Sequence, residues 1–278
     1  FFKKKKKKIF SINYLINYIE IVNPKYIFTY ADQFKQFYLL KKNFKDIIFI
    51  SIQNGVRTNF DDLLDKEKQE LSTDYLLSFD SATGKKFSEY VSIKEIIPIG
   101  SFKNNFFKVK KKNSIKTITF ISQVKLHTKS QYYNNKLNLK WSDYLSAEKE
   151  VIPFISNYCK KKKLKLRIIS RTNNISEYNF FEKLIESECE WDYIKKVKDY
   201  EIYDLIDESN YIVVVDSTTM YESLSRGKKI AIFAVRGTIL KDMGFGDLNL
   251  NFGWPGAVGE SGPFWTSINK AEEYERIL

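Results

Sequence analysis

The chain has 278 residues, 43% hydrophobic and 16% aromatic, enough apolar mass for a packed core; this excludes a disordered or fibrous protein. Lysine and arginine outnumber aspartate and glutamate 46 to 34, for a formal charge of +12. No run of about 18 uninterrupted apolar residues marks a transmembrane helix. The two cysteines, Cys159 and Cys189, are too few for a disulfide scaffold and fit a reducing compartment, and the single histidine, His127, makes a zinc cluster implausible.

The chain opens at Phe1 and runs into Lys3–Lys8, with further lysine runs at 108–112 and 160–163. Lys, Ile, Asn, Phe and Tyr are all abundant, the composition that A/T-rich codons produce. The excess charge therefore reads first as solvated surface, next as attraction to an anionic membrane face, and last as nucleic-acid binding; no nucleic-acid partner is expected. Asn13, Asn17 and Glu20 interrupt the segment after the lysines, so this segment is not expected to be a signal peptide. A start without methionine suggests a piece of a longer protein.

Ile12, Leu15, Ile16 and Ile19 recur at helical spacing, predicting a helix over 12–22 that Pro24 ends. YIFTY at 26–30 predicts a strand. A helix over 32–42, the strand 47–52, a helix near 61–71, the strand 75–79, a helix over 81–91 and the strand 96–100 follow. Pro98 marks the last as an edge or a strand end. Residues 102–114 lack periodicity and read as a linker. Alternation then restarts with the strand 117–122, a long polar loop over 123–140 holding His127, and a helix over 143–162. Beyond it come the strand 164–170, a helix over 176–188, a strand near 190–194 and a helix over 200–208. The buried-type strand 211–216, a helix over 217–226 and the strand 229–235 complete the series. The glycine-rich stretch 236–268 reads as an irregular loop over a surface. Strands alternating with helices mean parallel sheet. The expected fold is α/β, two Rossmann-like halves at 1–110 and 111–278 with a ligand cleft between them.

The segment VVVDSTTMYESLSRG at 213–227 carries the most chemistry. Here a buried strand gives way to a helix whose free N–H groups, with the hydroxyls of Ser217, Thr218 and Thr219, can hold a phosphate. Glu222 lies one turn on, within reach of a sugar hydroxyl. The same residues also form a plain capping arrangement, Thr219 pairing with Glu222. Asp32 ends the first strand and is either a general base for an acceptor hydroxyl or the cap of the helix 32–42. Arg171, ending the strand 164–170, is either a phosphate or carboxylate clamp or an exposed loop arginine. His127 reads as a surface histidine. Tyr132, Tyr133 and Trp141 could stack on sugars.

The order of these motifs resembles that of GT-B glycosyltransferases of surface-polysaccharide, capsule-type biosynthesis. SLSRGKKIAIF at 223–233 resembles the continuation of the donor half, and ITFISQ at 118–123, with Ser122, resembles its first strand. IFISIQNGVRT at 48–58 is similar to the strand and Gln-x-Gly turn of the acceptor half, here Gln53, Asn54 and Gly55; relatives often carry histidine where this chain has Asn54. DYLLSFDSATGKKFSEY at 74–90 and IIPIGSF at 96–102 resemble the last units of that half. The N-terminal half has fewer strands than the resemblance implies and is read as truncated.

The resemblance implies a bacterial, cytoplasmic transferase, peripheral to the inner membrane face. It would move a sugar from a nucleotide-sugar donor to a surface glycan or lipid-linked acceptor. It implies Asp32 as catalytic base, Ser122, Arg171, Ser217, Thr218, Thr219 and Glu222 on the donor, and Gln53, Asn54 and Gly55 on the acceptor side. The chain has no Asp-x-Asp, so no metal is expected, and no cofactor beyond the nucleotide-sugar substrate. A GT-B-fold sugar-nucleotide epimerase and a non-catalytic nucleotide- or glycan-binding protein are the alternatives.

Overall fold

The structure, a computed structural model, describes residues 2–55, 70–110, 116–126, 131–195, 201–246, 248, 261–262 and 265–268. The predicted helix near 61–71 falls almost wholly outside these residues, as does His127. The chain divides into two compact units between Phe106 and Phe107.

The first unit runs α1 (Phe2–Val22), β1 (Tyr26–Thr29), α2 (Lys35–Lys41), β2 (Ile48–Ile52), β3 (Ser72–Ser78), α3 (Ser81–Ser88), β4 (Ser92–Pro98) and α4 (Phe102–Asn105). Its sheet is parallel throughout, in the order β1-β2-β3-β4. Asn23 takes a left-handed φ of 45° and returns its N–H to the Ile19 carbonyl at 2.8 Å, and Pro24 follows, which stops α1. Asp80 caps α3, accepting from the Thr83 N–H at 2.7 Å. Ile19, Phe37, Tyr38, Leu40, Phe49, Leu76, Phe87 and Val91 form the core of this unit, so α1, α2 and α3 pack over the sheet in one cluster. Strand β1 is a sheet edge, with Tyr26 and Phe28 exposed, and Pro98 ends the opposite edge strand β4, where its missing N–H is harmless.

The second unit contains β5 (Thr117–Ile121), β6 (Tyr132–Asn134), β7 (Leu139–Lys140), α5 (Trp141–Tyr144), α6 (Ser146–Lys162) and β8 (Lys165–Ile169). It continues through α7 (Ile175–Glu182), β9 (Trp191–Ile194), α8 (Glu201–Glu208), β10 (Tyr211–Val214), α9 (Thr219–Ser225), β11 (Lys229–Phe233), α10 (Arg236–Leu240), β12 (Ser261–Gly262) and β13 (Trp265–Ile268). The sheet order is β12-β13-β11-β10-β5-β8-β9, parallel except for the β12–β13 pair. The chain lays down β5, β8 and β9 in one direction, then returns to β10, β11 and β13 on the other side of β5. That is the doubly wound Rossmann order, and its switch point lies between β5 and β10. Each face carries its own cluster: Val213 and Val215 point into one with α6 and α7, Ile212 and Val214 into the other with α8 and α9. Burial on both faces explains why 211–214 reads as a continuous apolar run.

Three expectations need correction. The loop 123–140 contains the hairpin β6–β7, turned at Asn138 with a left-handed φ of 52°. The helix 143–162 is two helices parted at Leu145. The stretch 236–268 is not simply irregular: it supplies α10, and β13 extends the sheet beside β11, with Phe233 opposite Ile268. The division between units also falls four residues before the expected position at 110. Arg226 explains this shift. Its guanidinium donates to the Phe107 and Lys108 carbonyls at 2.9 and 3.2 Å while gripping Asp207 at 2.6 and 2.8 Å. The Lys110 N–H donates to Asp207 at 2.7 Å, and Phe107 stacks on Tyr203. These bonds fasten residues 107–110 to the second unit.

Candidate functional site

Ligands of doubly wound sheets bind beyond the carboxyl ends of the strands, at the switch point. Here that edge is formed by the residues following β5, β8 and β10. Gln123, just past β5, donates from Nε2 to Ser217 Oγ at 3.2 Å, so a single hydrogen bond spans the switch point. Arg171, just past β8, donates from Nη1 to the Gln123 carbonyl at 3.2 Å and to its side-chain oxygen. Lys125 stands close to the same guanidinium, which holds its ammonium below the usual lysine range, with partial burial adding to the effect. Arg171, Gln123 and Ser217 are thus linked along one sheet edge, and the Arg171 charge is felt at Lys125.

Glu177, on α7, fixes this arrangement. It is fully buried and accepts from the Ser122 hydroxyl at 2.6 Å, the Arg171 N–H at 2.9 Å, and the Thr172 N–H and hydroxyl at 2.8 and 2.5 Å. Four donors satisfy the buried carboxylate and tie the ends of β5 and β8 together. Ser122 is therefore a bracing residue turned toward Glu177.

Ser217 also accepts the Thr219 N–H at 3.3 Å, so it supplies the capping oxygen at the start of α9. This differs from the expected capping by Thr219, whose carbonyl instead receives the Ser223 hydroxyl at 2.7 Å. Thr218, Thr219 and Glu222 are half-buried on the first turn. The residue before Ser217 is the most constrained of all. Asp216 accepts from Arg236 Nε at 2.9 Å and Nη2 at 3.1 Å, and from the Tyr144 hydroxyl at 2.9 Å. Arg236, itself fully buried, reaches Glu148 at 2.7 and 3.1 Å and lies 4.0 Å from the Tyr144 ring centroid. Burial alone would favour a neutral Arg236, but Glu148 and Asp216 outweigh it and hold the guanidinium charged. Burial, and then the Asp216 charge, push the Tyr144 hydroxyl far above its ordinary value, so it remains a donor.

In the first unit, Asp32, Gln53, Asn54 and Gly55 come together beyond β1 and β2. The Asn54 N–H donates to Asp32 Oδ1 at 3.4 Å and its side-chain amide to the Tyr30 carbonyl at 2.6 Å. Gln53 accepts from the Phe79 N–H at 2.8 Å and donates to the Gly55 carbonyl at 2.9 Å. Asp32 is fully buried and does not cap α2, whose first turn follows Phe34 without a side-chain cap. Tyr133 stacks on Tyr144 at 4.0 Å, beside Trp141, so these two aromatics build the Arg236 surround.

Sequence reasoning named Ser122, Arg171, Ser217, Thr218, Thr219 and Glu222 for this edge and did not name Gln123, Lys125, Glu177 or Arg236, which the structure places beside them or behind them. Gln123 follows directly on TITFIS and was within reach of a strand-end argument. Lys125 is hidden among 46 basic residues.

No curated protein matches the chain by sequence. Among solved structures, the UDP-GlcNAc 2-epimerase of Neisseria meningitidis bound to UDP-GlcNAc is similar, with 15% identity over 80% of this chain and 62% of that one, TM-score 0.50. A "putative UDP-N-acetylglucosamine 2-epimerase" from Listeria monocytogenes has 11% identity over 83% and 62%, TM-score 0.54. An E. coli heptosyltransferase with ADP-2-deoxy-2-fluoro heptose has 6% identity over 91% and 98%, TM-score 0.42. The chain thus spans about three fifths of the length of the first two, 62% of each, and at such identities the likeness is one of fold. A family described as "putative O-antigen biosynthesis protein" matches residues 50–278. A match over most of a chain built from Rossmann-type units makes this protein a member of that O-antigen biosynthesis family, GT-B-like in fold.

Proposed function

We propose that the chain is part of a glycosyltransferase that moves a sugar from a nucleotide-activated donor to a surface glycan or its lipid-linked precursor. The observation that carries this reading is the switch-point cluster, in which Arg171 holds Gln123 and Gln123 reaches Ser217 across the ends of β5, β8 and β10, with Lys125 in the field of the same guanidinium. Two adjacent cations repel each other, and a diphosphate between them would relieve that cost and neutralise charge on the departing nucleotide. Thr218 and Thr219 add hydroxyl donors, and Glu222 takes a ribose or sugar hydroxyl. No metal is called on, because the guanidinium and ammonium supply the charge. Asp32 is the base for the acceptor hydroxyl, with Gln53, Asn54 and Gly55 shaping its turn. Because its carboxylate is buried, this role requires the turn to open when the acceptor binds.

The test is calorimetric titration with nucleoside diphosphates of the parent, Arg171→Ala, Thr218→Ala and Glu222→Ala. Each lost hydrogen bond to a charged group is expected to cost about 1.5–3 kcal/mol, roughly tenfold to a hundredfold in affinity. Asp32→Asn is expected to lower turnover strongly while leaving nucleotide affinity unchanged. Parent-like nucleotide binding by all three donor-site variants would leave 213–227 as a well-capped core helix. Conversion of a UDP-sugar in the absence of any acceptor would replace the transferase with an epimerase, the activity named for two proteins of similar fold.

A further inference from the structure

The proposed transfer leaves both cysteines unused, yet the fold brings them together from distant parts of the chain. Cys159 lies in the last turn of α6 and Cys189 just before β9, and both are buried in the core on that face of the second sheet. The stretch entering β8 pins both backbones. The Leu164 N–H donates to the Cys159 carbonyl at 2.9 Å, and the Leu166 N–H donates to the carbonyl of Glu190, next to Cys189, at 2.9 Å. Side chains beside each cysteine tie the segments again. Ser156 Oγ accepts the Glu186 N–H at 3.1 Å, and the Lys160 ammonium meets the Glu188 carboxylate at 2.8 Å. Held in this register, the Cys159 thiol donates a hydrogen bond to the Cys189 sulfur, and the Cys189 thiol donates to the Glu190 carbonyl at 3.6 Å.

Two thiols so placed have a reaction open to them. A thiolate attacks a peroxide, and a second thiol within bonding reach then closes a disulfide. The hydrogen bond from Cys159 draws the Cys189 thiol below its ordinary value against the opposing effect of burial. The same bond, with burial, pushes the Cys159 thiol up. Cys189 is therefore the nucleophile and Cys159 the resolving thiol. Cys189 also lies near solvent: the side chains of its neighbours Glu188 and Glu190 are 71% and 75% exposed, so opening one turn admits a small oxidant. We propose that Cys159 and Cys189 are a peroxide-reactive thiol pair that closes a reversible disulfide between α6 and the turn before β9. The Cys189 sulfur attacks one peroxide oxygen. Its S–O bond forms as the O–O bond breaks, and the departing hydroxide takes up the thiol's proton as water. The Cys159 sulfur then attacks the sulfenic sulfur. The S–S bond forms as the S–O bond breaks, and this second hydroxide leaves as water with the Cys159 proton. Two electrons pass from the thiols to the peroxide, and a dithiol reductant restores them. The link closes a loop of about 30 residues and fastens the helix that carries Glu148, the partner of Arg236.

The experiment exposes the folded full chain to a small molar excess of hydrogen peroxide, removes it, and counts free thiols in denaturant. The reduced chain has two. The oxidised chain is expected to have none, to run as a monomer on a non-reducing gel, to yield one peptide pair joined through Cys159 and Cys189, and to regain both thiols with dithiothreitol. Its melting temperature is expected to rise by about 5–10 °C, because the link constrains the unfolded chain. In Cys159→Ser the same treatment is expected to leave a sulfenic acid on Cys189 that dimedone labels, with no rise in melting temperature. If that variant does not fold, the thiol count and peptide map of the parent decide alone. The pair is refuted if both thiols survive peroxide in the folded chain and couple only after unfolding. Coupling between chains, oxidation to sulfinic acid without a link, or a linked chain that melts no higher than the reduced one would overturn it equally.

Discussion

Asp216 illustrates how one residue governs the candidate site. It sits between the last buried residues of the central strand and Ser217, and its carboxylate is clamped by Arg236 and Tyr144. Arg236 is clamped in turn by Glu148, so one guanidinium compensates two buried carboxylates. Replacing it with an apolar residue of similar length leaves those carboxylates buried without their cation. Arg236→Met is therefore expected to destabilise the protein by about 3–5 kcal/mol, the range for breaking a buried ion pair from one side. Urea denaturation measures it, and a loss under about 1 kcal/mol would mean that water or another group takes the place of the guanidinium. None of this was legible in the sequence. Asp216 and Arg236 are twenty residues apart, and Glu148 lies in another helix. Only the return of β10 and β11 beside β5 brings the three together. Ser217 was legible because its position follows from local pattern alone: an apolar run ends and hydroxyl residues begin.

At the level of elements, the parallel strands were readable because both faces of the second sheet are buried, which leaves unbroken apolar runs bounded by polar turns. Strand β13 was not, since Trp265–Ile268 is short and lies among glycines and prolines that signal loops. The hairpin β6–β7 was missed for a similar reason. Its strands have three and two residues, below the length at which alternation can be counted. Helix α3 shows what close packing demands of sequence. A Cβ built on Gly84 would stand 2.4 Å from Ile96 Cγ2 and 3.0 Å from Ser78 Oγ, both on the sheet beneath. Glycine lets the helix approach β3 and β4, and a β-branched side chain such as Ile96 has few rotamers with which to yield. Gly84→Ala is expected to cost about 1–3 kcal/mol by overpacking, against the gain in helix propensity that alanine would bring on an exposed face. A thermal melt of the variant would decide it, a rise in Tm meaning that α3 can lift off the sheet without loss.

On the scale of the whole molecule, the residues proposed for the donor side all belong to one unit. Gln123, Lys125, Arg171, Glu177 and 216–222 lie within Phe107–Leu278, and Arg226 and Asp207 fasten residues 107–110 to the same body. Its sheet has strand order, switch point and two cores of its own, whereas the four described strands of the first unit proceed in one direction without reversing. The location of the switch point follows from topology, which the order of strands along the chain does not reveal. Both β5-β8-β9-β10 and the observed return to the far side of β5 are compatible with the same alternation of strands and helices. If the proposed donor site is right, a fragment of residues 107–278 should melt cooperatively and bind nucleoside diphosphate with an affinity within about threefold of the full chain, a difference below 1 kcal/mol. It should lack transferase activity, since Asp32 and the Gln53–Gly55 turn belong to the other unit. Starting the fragment at 111 instead would remove the Phe107–Tyr203 stack and the carbonyls that Arg226 holds, leaving part of a buried guanidinium unsatisfied. That shorter fragment should melt at a lower temperature than the one beginning at 107. A 107–278 fragment that folds cooperatively yet fails to bind nucleotide would show that the switch-point residues alone do not make the site.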